Sequence, residues 1–326
     1  MRFQHKSQYS GFAIALAWPD KYCKRAGSWY DLVTDIIGIS KNHHYKVGHA
    51  ALLLVNKKDG KCHYFDFGRY HAPYKHGRVR NAVTDNGLNV RTEAKISHDG
   101  CMIENFKEII TELQYNSECH GEGKIFASYC MIDFKKAYQK AISLQESSPL
   151  PYGPFVSNGT NCSRFVCTSI LAGMPYLKFR LGLKYLIPLT PTPLTNVNAL
   201  DNIVTIPNLR TNDHSSADKL NGRIMLNSTL PENDKPDILP GDAKWLSGEG
   251  AGSWFAIEKK ADKYLIRRYG PDGSLECENL FVIVNNQSLD LSKSFCFDHI
   301  SHCEKVRIIQ DDKRIEFQSI FAVFST

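Results

Sequence analysis

The sequence predicts an α+β fold, with an antiparallel sheet packed against a helix that begins at Cys162 and a small antiparallel β domain behind it. Three observations lead there. The runs "VGHAALLLVN" and "CHYFDFGRY" are both β-prone and are joined through "KKDGK", whose Asp59-Gly60 pair is a strong hairpin signal. The turn-prone stretch "NGTN", 158–161, opens straight into the apolar-periodic "CSRFVCTSILA". From residue 243 onward the pattern changes to short strands: "SWFAIEK", "KYLIRRY", "LFVIV", "KVRIIQ" and "RIEFQ".

The elements follow in order. "GFAIALAW" reads as a buried strand ended by Pro19. "SWYDLVTDIIGI" spaces Trp29, Leu32, Val33 and Ile36 at helical intervals. After the hairpin, "HAPYKHGRVR" is a basic loop dotted with aromatics. Segments 103–114 and 133–146 are expected to be amphipathic helices, the second through Phe134, Ala137, Tyr138, Ala141 and Ile142. "SSPLPYGP" holds too much proline to be helical. The helix from Cys162 stops at Gly173 and Pro175. Residues 188–240 are rich in Pro and Thr and are expected to contain little regular structure. The domains expected are therefore 1–190, a connector 191–242, and a β domain 243–326.

Composition excludes several classes. Hydrophobic residues make up 42% and charged residues 23% of 326, which is ordinary for a globular protein. The net charge of +6 comes without any long Lys/Arg block, so no nucleic-acid partner is expected. "FAIALAW" is far too short to span a bilayer and short for a signal peptide, so a cytoplasmic setting is expected before a secreted or periplasmic one. The ten cysteines include no CxxC pair, and reduced, mostly buried thiols are expected. No metal site and no organic cofactor are expected, because Cys296, His299, His302 and Cys303 fit no zinc spacing. The sequence leaves the oligomeric state open.

Chemistry centres on Cys162. The first N–H groups of a helix lack internal partners and carry partial positive charge, which stabilises a thiolate and can receive an oxyanion. The alternative is a small packed thiol at a helix start. His49 enters an otherwise apolar strand directly after Gly48, as a base for Cys162 or as a core histidine bonded to a carbonyl. The residue orienting that imidazole is Asp66 or, alternatively, His63, which lie on opposite faces of one strand. A two-residue turn puts Asp66 on the face of His49, and a three-residue turn with a bulge puts His63 there. Asp66 is preferred, its alternative being a pair with Arg69 or another cation. Asn161 either shapes the site or caps the helix. Arg69, Arg78 and Arg80 are candidates to receive an anionic substrate group, or else belong to a solvated loop.

These residues resemble the circularly permuted papain-like hydrolases, which include NlpC-type amidases and the lecithin–retinol acyltransferase group. A strand histidine, His49, precedes a helix-opening cysteine, Cys162, as in the permuted order. "NCSRFV" is similar to the acyltransferase pattern Asn-Cys-Glu-His-Phe-Val at Asn161, Cys162, Phe165 and Val166, and departs from it at Ser163 and Arg164. The spacing of that group's second histidine falls on Lys61, which cannot orient a base; the amidases place a carboxylate on the second strand. The resemblance covers roughly 45–175, and the whole chain resembles an uncharacterised bacterial family with this core. It implies a cysteine amidase or peptidase acting on a peptide, amide or lipid ester without a cofactor. The alternatives are a thiol acyltransferase and an inactive binding module of the same fold.

Overall fold

A computed structural model describes residues 9–21, 48–119, 121, 123–186, 190–208 and 228–320, with the backbone of short strands at 23–24, 40–41 and 44–45. The helix expected over 28–39 lies outside the described residues. The chain divides into two compact units. The first comprises Met1–Phe67, Leu88–Ser147 and Pro151–Met225; the second comprises Gly68–Gly87, Ser148–Leu150 and Leu226–Thr326. Gly68–Gly87 and Ser148–Leu150, which fall within the first expected domain, thus cluster with the C-terminal unit.

The first unit is built on strands β1 (Gly11–Trp18), β2 (His49–Asn56) and β3 (Cys62–Gly68). Strand β4 (His76–Arg80) belongs to the second unit, and β5 (Ile125–Ile132) and β6 (Asp201–Ile206) complete the first. The strand order is β6-β5-β1-β2-β3, with antiparallel neighbours throughout. All eight residues of β1 are buried, so the sheet is covered on both faces, and its central strands read as unbroken apolar runs. On one face, Phe12, Ile14, Leu16, Leu53 and Val55 form a core with Phe106, Ile109, Ile110 and Leu113. Those four sit at helical spacing on α1 (Phe106–Tyr115). The other face takes α2 (Phe134–Glu146) and α3 (Cys162–Ala172). There Tyr138 lies 5.2 Å from His63 and 5.6 Å from Phe65, ring to ring, and Phe165 lies 6.5 Å from Phe67.

The hairpin between β2 and β3 decides which side chains share a face. Its loop is four residues, Lys57–Gly60: the Gly60 N–H donates to Asn56 O at 2.9 Å, and the Asn56 N–H donates to Lys61 O at 3.0 Å. Gly60 has φ +71°, and a Cβ there would lie 2.5 Å from Ala94 O. This is neither of the two turns weighed from sequence. Its even length preserves the parity of a two-residue turn, so Ala51 pairs with Asp66 and Leu54 with His63.

The Pro/Thr-rich stretch holds more structure than expected. Following α4 (Leu177–Tyr185), a short helix α5 (Pro193–Asn198) precedes edge strand β6. Thr192 and Thr195 form a capping box, and Pro193 sits in the first turn, where its missing N–H costs nothing. A proline signal read as a breaker here starts a helix.

The second unit carries β7 (Lys244–Leu246), β8 (Ser253–Lys260), β9 (Lys263–Tyr269), β10 (Leu275–Ile283), β11 (Cys296–Phe297), β12 (Lys305–Gln310) and β13 (Lys313–Ser319). They form one antiparallel sheet in the order β7-β8-β9-β10-β13-β12-β11. It curls in a barrel-like way, bringing Phe255 of β8 to 4.9 Å from Phe297 of β11, around Ile257, Ile266, Phe281, Val306, Ile308 and Phe317. Cys277 and Cys303 are disulfide-bonded across a Cα–Cα distance of 5.9 Å. The expectation of reduced thiols fails for this pair, because their separation of 26 residues matches no motif and only folding brings them together. Among the described residues, no helix is long and apolar enough to cross a membrane.

Two outcomes follow for stability. Gly60→Ala forces a left-handed side chain against Ala94 O and should cost roughly 1–3 kcal/mol, read as a lower urea midpoint. Cys303→Ser opens a loop of 26 residues and should cost the second unit about 2–4 kcal/mol, read as a lower thermal midpoint under oxidising but not reducing conditions.

Candidate active site

Cys162 is the first residue of α3, and its position is set by the cap before it. Asn161 has extended backbone, and its side-chain oxygen accepts the Arg164 N–H at 2.8 Å. Its carbonyl accepts the Phe165 N–H at 2.9 Å. Arg164 in turn donates to the carbonyls of Gly159 and Pro154, tying the preceding turn to the helix. Asn161 thus performs the capping role, and the residue that departs from the acyltransferase pattern, Arg164, braces the loop. The start of α3 reaches the start of β2, where the Ala50 N–H donates to the Cys162 sulfur.

His49 opens β2 and is 6% exposed. Gly48 before it has φ +75°, and a Cβ there would lie 2.8 Å from Trp18 O, so the chain needs glycine to enter the strand. Across the β1–β2 register His49 faces Trp18, whose ring stacks at 5.8 Å and 24°. The Trp18 Nε1–H donates to Gln114 of α1 at 2.9 Å, which fixes the indole. On the same sheet face, Asp66 Oδ2 lies 3.4 Å from His49 Nε2 and accepts from the Tyr64 hydroxyl at 3.3 Å. The His49–Asp66 contact is a long, off-axis ion pair, since Nε2 makes no bond of tighter geometry. With Nε2 turned to Asp66, Nδ1 is the nitrogen left to Cys162.

The electrostatics follow from this placement. Burial disfavours the charged imidazole, but its contacts with Asp66 and Cys162, and their negative charges, outweigh it and raise the His49 pKa to about 9. Burial likewise pushes the Cys162 thiol up. The hydrogen bond and charge of His49, the Ala50 N–H and the Ser163 hydroxyl outweigh it, leaving the thiol below its usual value. Such a pair can hold thiolate and imidazolium together near neutral pH.

Sequence reasoning named Cys162, His49 and Asp66, and the fold brings these three together. His63, the alternative to Asp66, sits on the opposite face against Phe134 and Tyr138, where burial lowers its pKa. Trp18, Tyr64 and Ser163 were missed. Tyr64 was findable, being two residues before Asp66 on one strand face; the Trp18 pairing needs the β1–β2 register.

Arg69, Arg78 and Arg80 are not on a solvated basic loop. All three are buried in the second unit. Arg69 pairs with Glu249 at 2.6 Å, and Arg78 with Asp85 at 2.7 Å. The Arg80 guanidinium lies 3.7 Å over the Tyr70 ring. Their charges are therefore used internally, which corrects the anion-binding expectation. The reason is that strand β4 and its flanks fold into the unit. Nearby, Ser253 Oγ lies 2.6 Å from His71 Nε2 and imitates a nucleophile–base pair. The polarity is wrong, however. Arg78 can only donate, so His71 Nδ1, 3.0 Å from Arg78 Nη2, carries no proton and Nε2 must donate to Ser253. Ser253 then donates to Glu276 at 3.2 Å, and burial with the neighbouring arginines keeps His71 neutral. Among the described residues no group of three or more His, Cys, Asp or Glu side chains could hold a metal.

Residues 13–179, from β1 to the start of α4, match the family described as type VI secretion system effector TseH-like. That stretch holds Cys162, His49 and Asp66 and is just over half of the sequence, so the chain belongs to this bacterial effector family. Residues 243–320 match the DUF6695 C-terminal domain. Among solved structures, the crystal structure of the type VI secretion system effector TseH is similar at 18% identity and a TM-score of 0.40, covering 60% of this chain and 92% of that one. A comparison with curated proteins finds no match.

The charge pair predicts a pH window. Alkylation of Cys162 by iodoacetamide should already be fast below the ordinary thiol pKa of 9.0, because the thiolate is favoured while His49 holds its proton. Asp66→Asn removes a charge that favours the imidazolium and so weakens its hold on the thiolate, and the onset of alkylation should move to higher pH. Turnover, which also needs the His49 proton, should in that variant fall off below the parent limb near pH 9.

Proposed function

We propose that this chain is a cysteine hydrolase of the permuted papain-like type, acting on an amide or ester as a secreted bacterial effector. The observation that carries this reading is a single imidazole, His49, held between Cys162 at a helix start and the Asp66 carboxylate, 3.4 Å from its Nε2. The family match supports the effector role, and the order of His49 before Cys162 supports the permuted core.

In this reading the Cys162 thiolate attacks the substrate carbonyl, forming a C–S bond while the carbonyl electron pair moves onto oxygen. The N–H groups of Cys162 and Ser163, at the two helical positions before the N–H that Asn161 caps, receive that oxyanion. His49 gives its proton to the leaving nitrogen or oxygen as the C–N or C–O bond breaks. The neutral imidazole next takes a proton from water, whose oxygen attacks the thioester, and the thiolate departs with the acid released. Asp66 keeps the ring oriented and favours the imidazolium, and the Tyr64 hydroxyl steadies the carboxylate. The disulfide in the second unit supports a working compartment more oxidising than the reducing cytoplasm expected from composition.

An alkyne-bearing haloacetamide probe tests this. It should label the parent chain at substoichiometric probe, and Cys162→Ser should abolish labelling. Against a library of peptide amides and esters, His49→Ala should lower turnover by about 10²–10⁴-fold, the usual worth of a positioned base. An amine acceptor that captures the acyl group in place of water would assign the acyltransferase reading. A Cys162 that reacts no faster than free cysteine would assign the binding-module reading.

A further inference from the structure

Outside the candidate site, the described surface has one dense apolar stretch. Within "MPYLKFRLGLKYL", Met174, Tyr176, Leu177, Leu181, Tyr185 and Leu186 are all exposed, from 46% to 81%. Solvent-facing large side chains are ordinary when scattered, but six in thirteen residues form a patch that calls for a partner. The helix in this stretch, α4, explains how they converge. Leu177, Leu181 and Tyr185 recur every four residues and make one outward stripe. Lys178 flanks the stripe on one side, with Arg180 and Lys184 on the other. The inner face carries Phe179, Gly182 and Leu183, all buried, and Cys167 of α3 donates its S–H to the Leu183 carbonyl at 3.4 Å. The helix is thus anchored to the first unit by one side and apolar on the other.

We infer that this face of α4 docks the first unit on a membrane surface with anionic headgroups. The charge pattern selects that occupant. Residues 174–186 contain three basic residues and no acidic one, so the rim complements anionic headgroups while the centre suits the acyl boundary. Lys178, Arg180 and Lys184 can run their stems along the stripe and keep their charges at headgroup level, and Tyr176 and Tyr185 bring rings with polar tips to its two ends. The Asp201 carboxylate that pairs with Lys178 offsets one of these charges, leaving Arg180 and Lys184 as the larger contributors. A helix of nine residues is about 14 Å long, so it lies in the interface and does not cross it.

The test is co-sedimentation of the full chain with vesicles of mixed phosphatidylglycerol and phosphatidylethanolamine, beside vesicles of phosphatidylcholine alone. Binding is expected to the anionic vesicles, weakening as salt rises. Leu181→Glu should weaken it by at least about tenfold, since it puts a charge at the centre of the exposed apolar stripe. Lys184→Gln should weaken it about fivefold through the loss of one cation at the surface. Each variant is checked for an unchanged thermal midpoint and an unchanged rate of Cys162 alkylation, so that misfolding is not read as lost binding. The inference is overturned if the parent chain stays in the supernatant with anionic vesicles, or if Leu181→Glu sediments as the parent does. It is also overturned if light scattering shows a dimer that Leu181→Glu dissolves, which would assign the face to a second copy of the chain. Because Cys162 alkylation is followed separately, failure here leaves the hydrolase reading intact.

Discussion

An imidazole buried at the head of β2, between a carboxylate and a thiol, is the constraint on which the candidate site turns. Burial alone would strip His49 of its proton, and a carboxylate and a thiolate on either side reverse that outcome. Each flanking group arrives by a different route. Asp66 is delivered by strand pairing and Cys162 by a helix cap, so the pair exists only if the sheet register and the packing of α3 are both right. Trp18 closes a third side through a ring contact that the β1–β2 register enforces. The sheet beneath is accordingly apolar over most of both faces.

The second unit deals with buried charge in another way. Arg78 and Arg268 both converge on Asp85, with Thr84 donating to the same carboxylate at 2.7 Å. The cations hold the carboxyl well below its usual range, and His71 is left neutral with its donor pointed at Ser253. Two histidines in one chain thus sit beside a nucleophilic atom with opposite consequences. His49 is flanked by anions and keeps its proton. His71 is flanked by arginines and cannot accept one. The charge of the neighbours, more than the identity of the pair, decides whether such a constellation can activate a nucleophile.

Local signals carried much of the organisation. The hairpin, the helices at 134–146 and 162–172 and the C-terminal strands were legible because each rests on side-chain periodicity and on turn or cap residues within a few positions. What failed had non-local causes. The basic loop reads as solvated because nothing nearby in sequence announces that Glu249 is waiting 180 residues away. The Pro/Thr-rich stretch reads as a connector because a proline that starts a helix and one that ends it look alike until the cap closes. The Cys277–Cys303 disulfide was invisible for the same reason, as neither cysteine has a motif.

By itself, the sequence determined which residues could do chemistry: a cysteine at a capped helix start, a histidine heading an apolar strand and a carboxylate on the next. These depend on backbone propensity and alternation over short distances. Only the tertiary structure put Asp66, and not His63, on the face of His49, because that turns on the parity of a four-residue loop closed by Gly60 against Ala94. It alone also decided that Arg69, Arg78 and Arg80 are committed within the second unit. Partners far apart in the chain set burial, and burial sets what a charge can do.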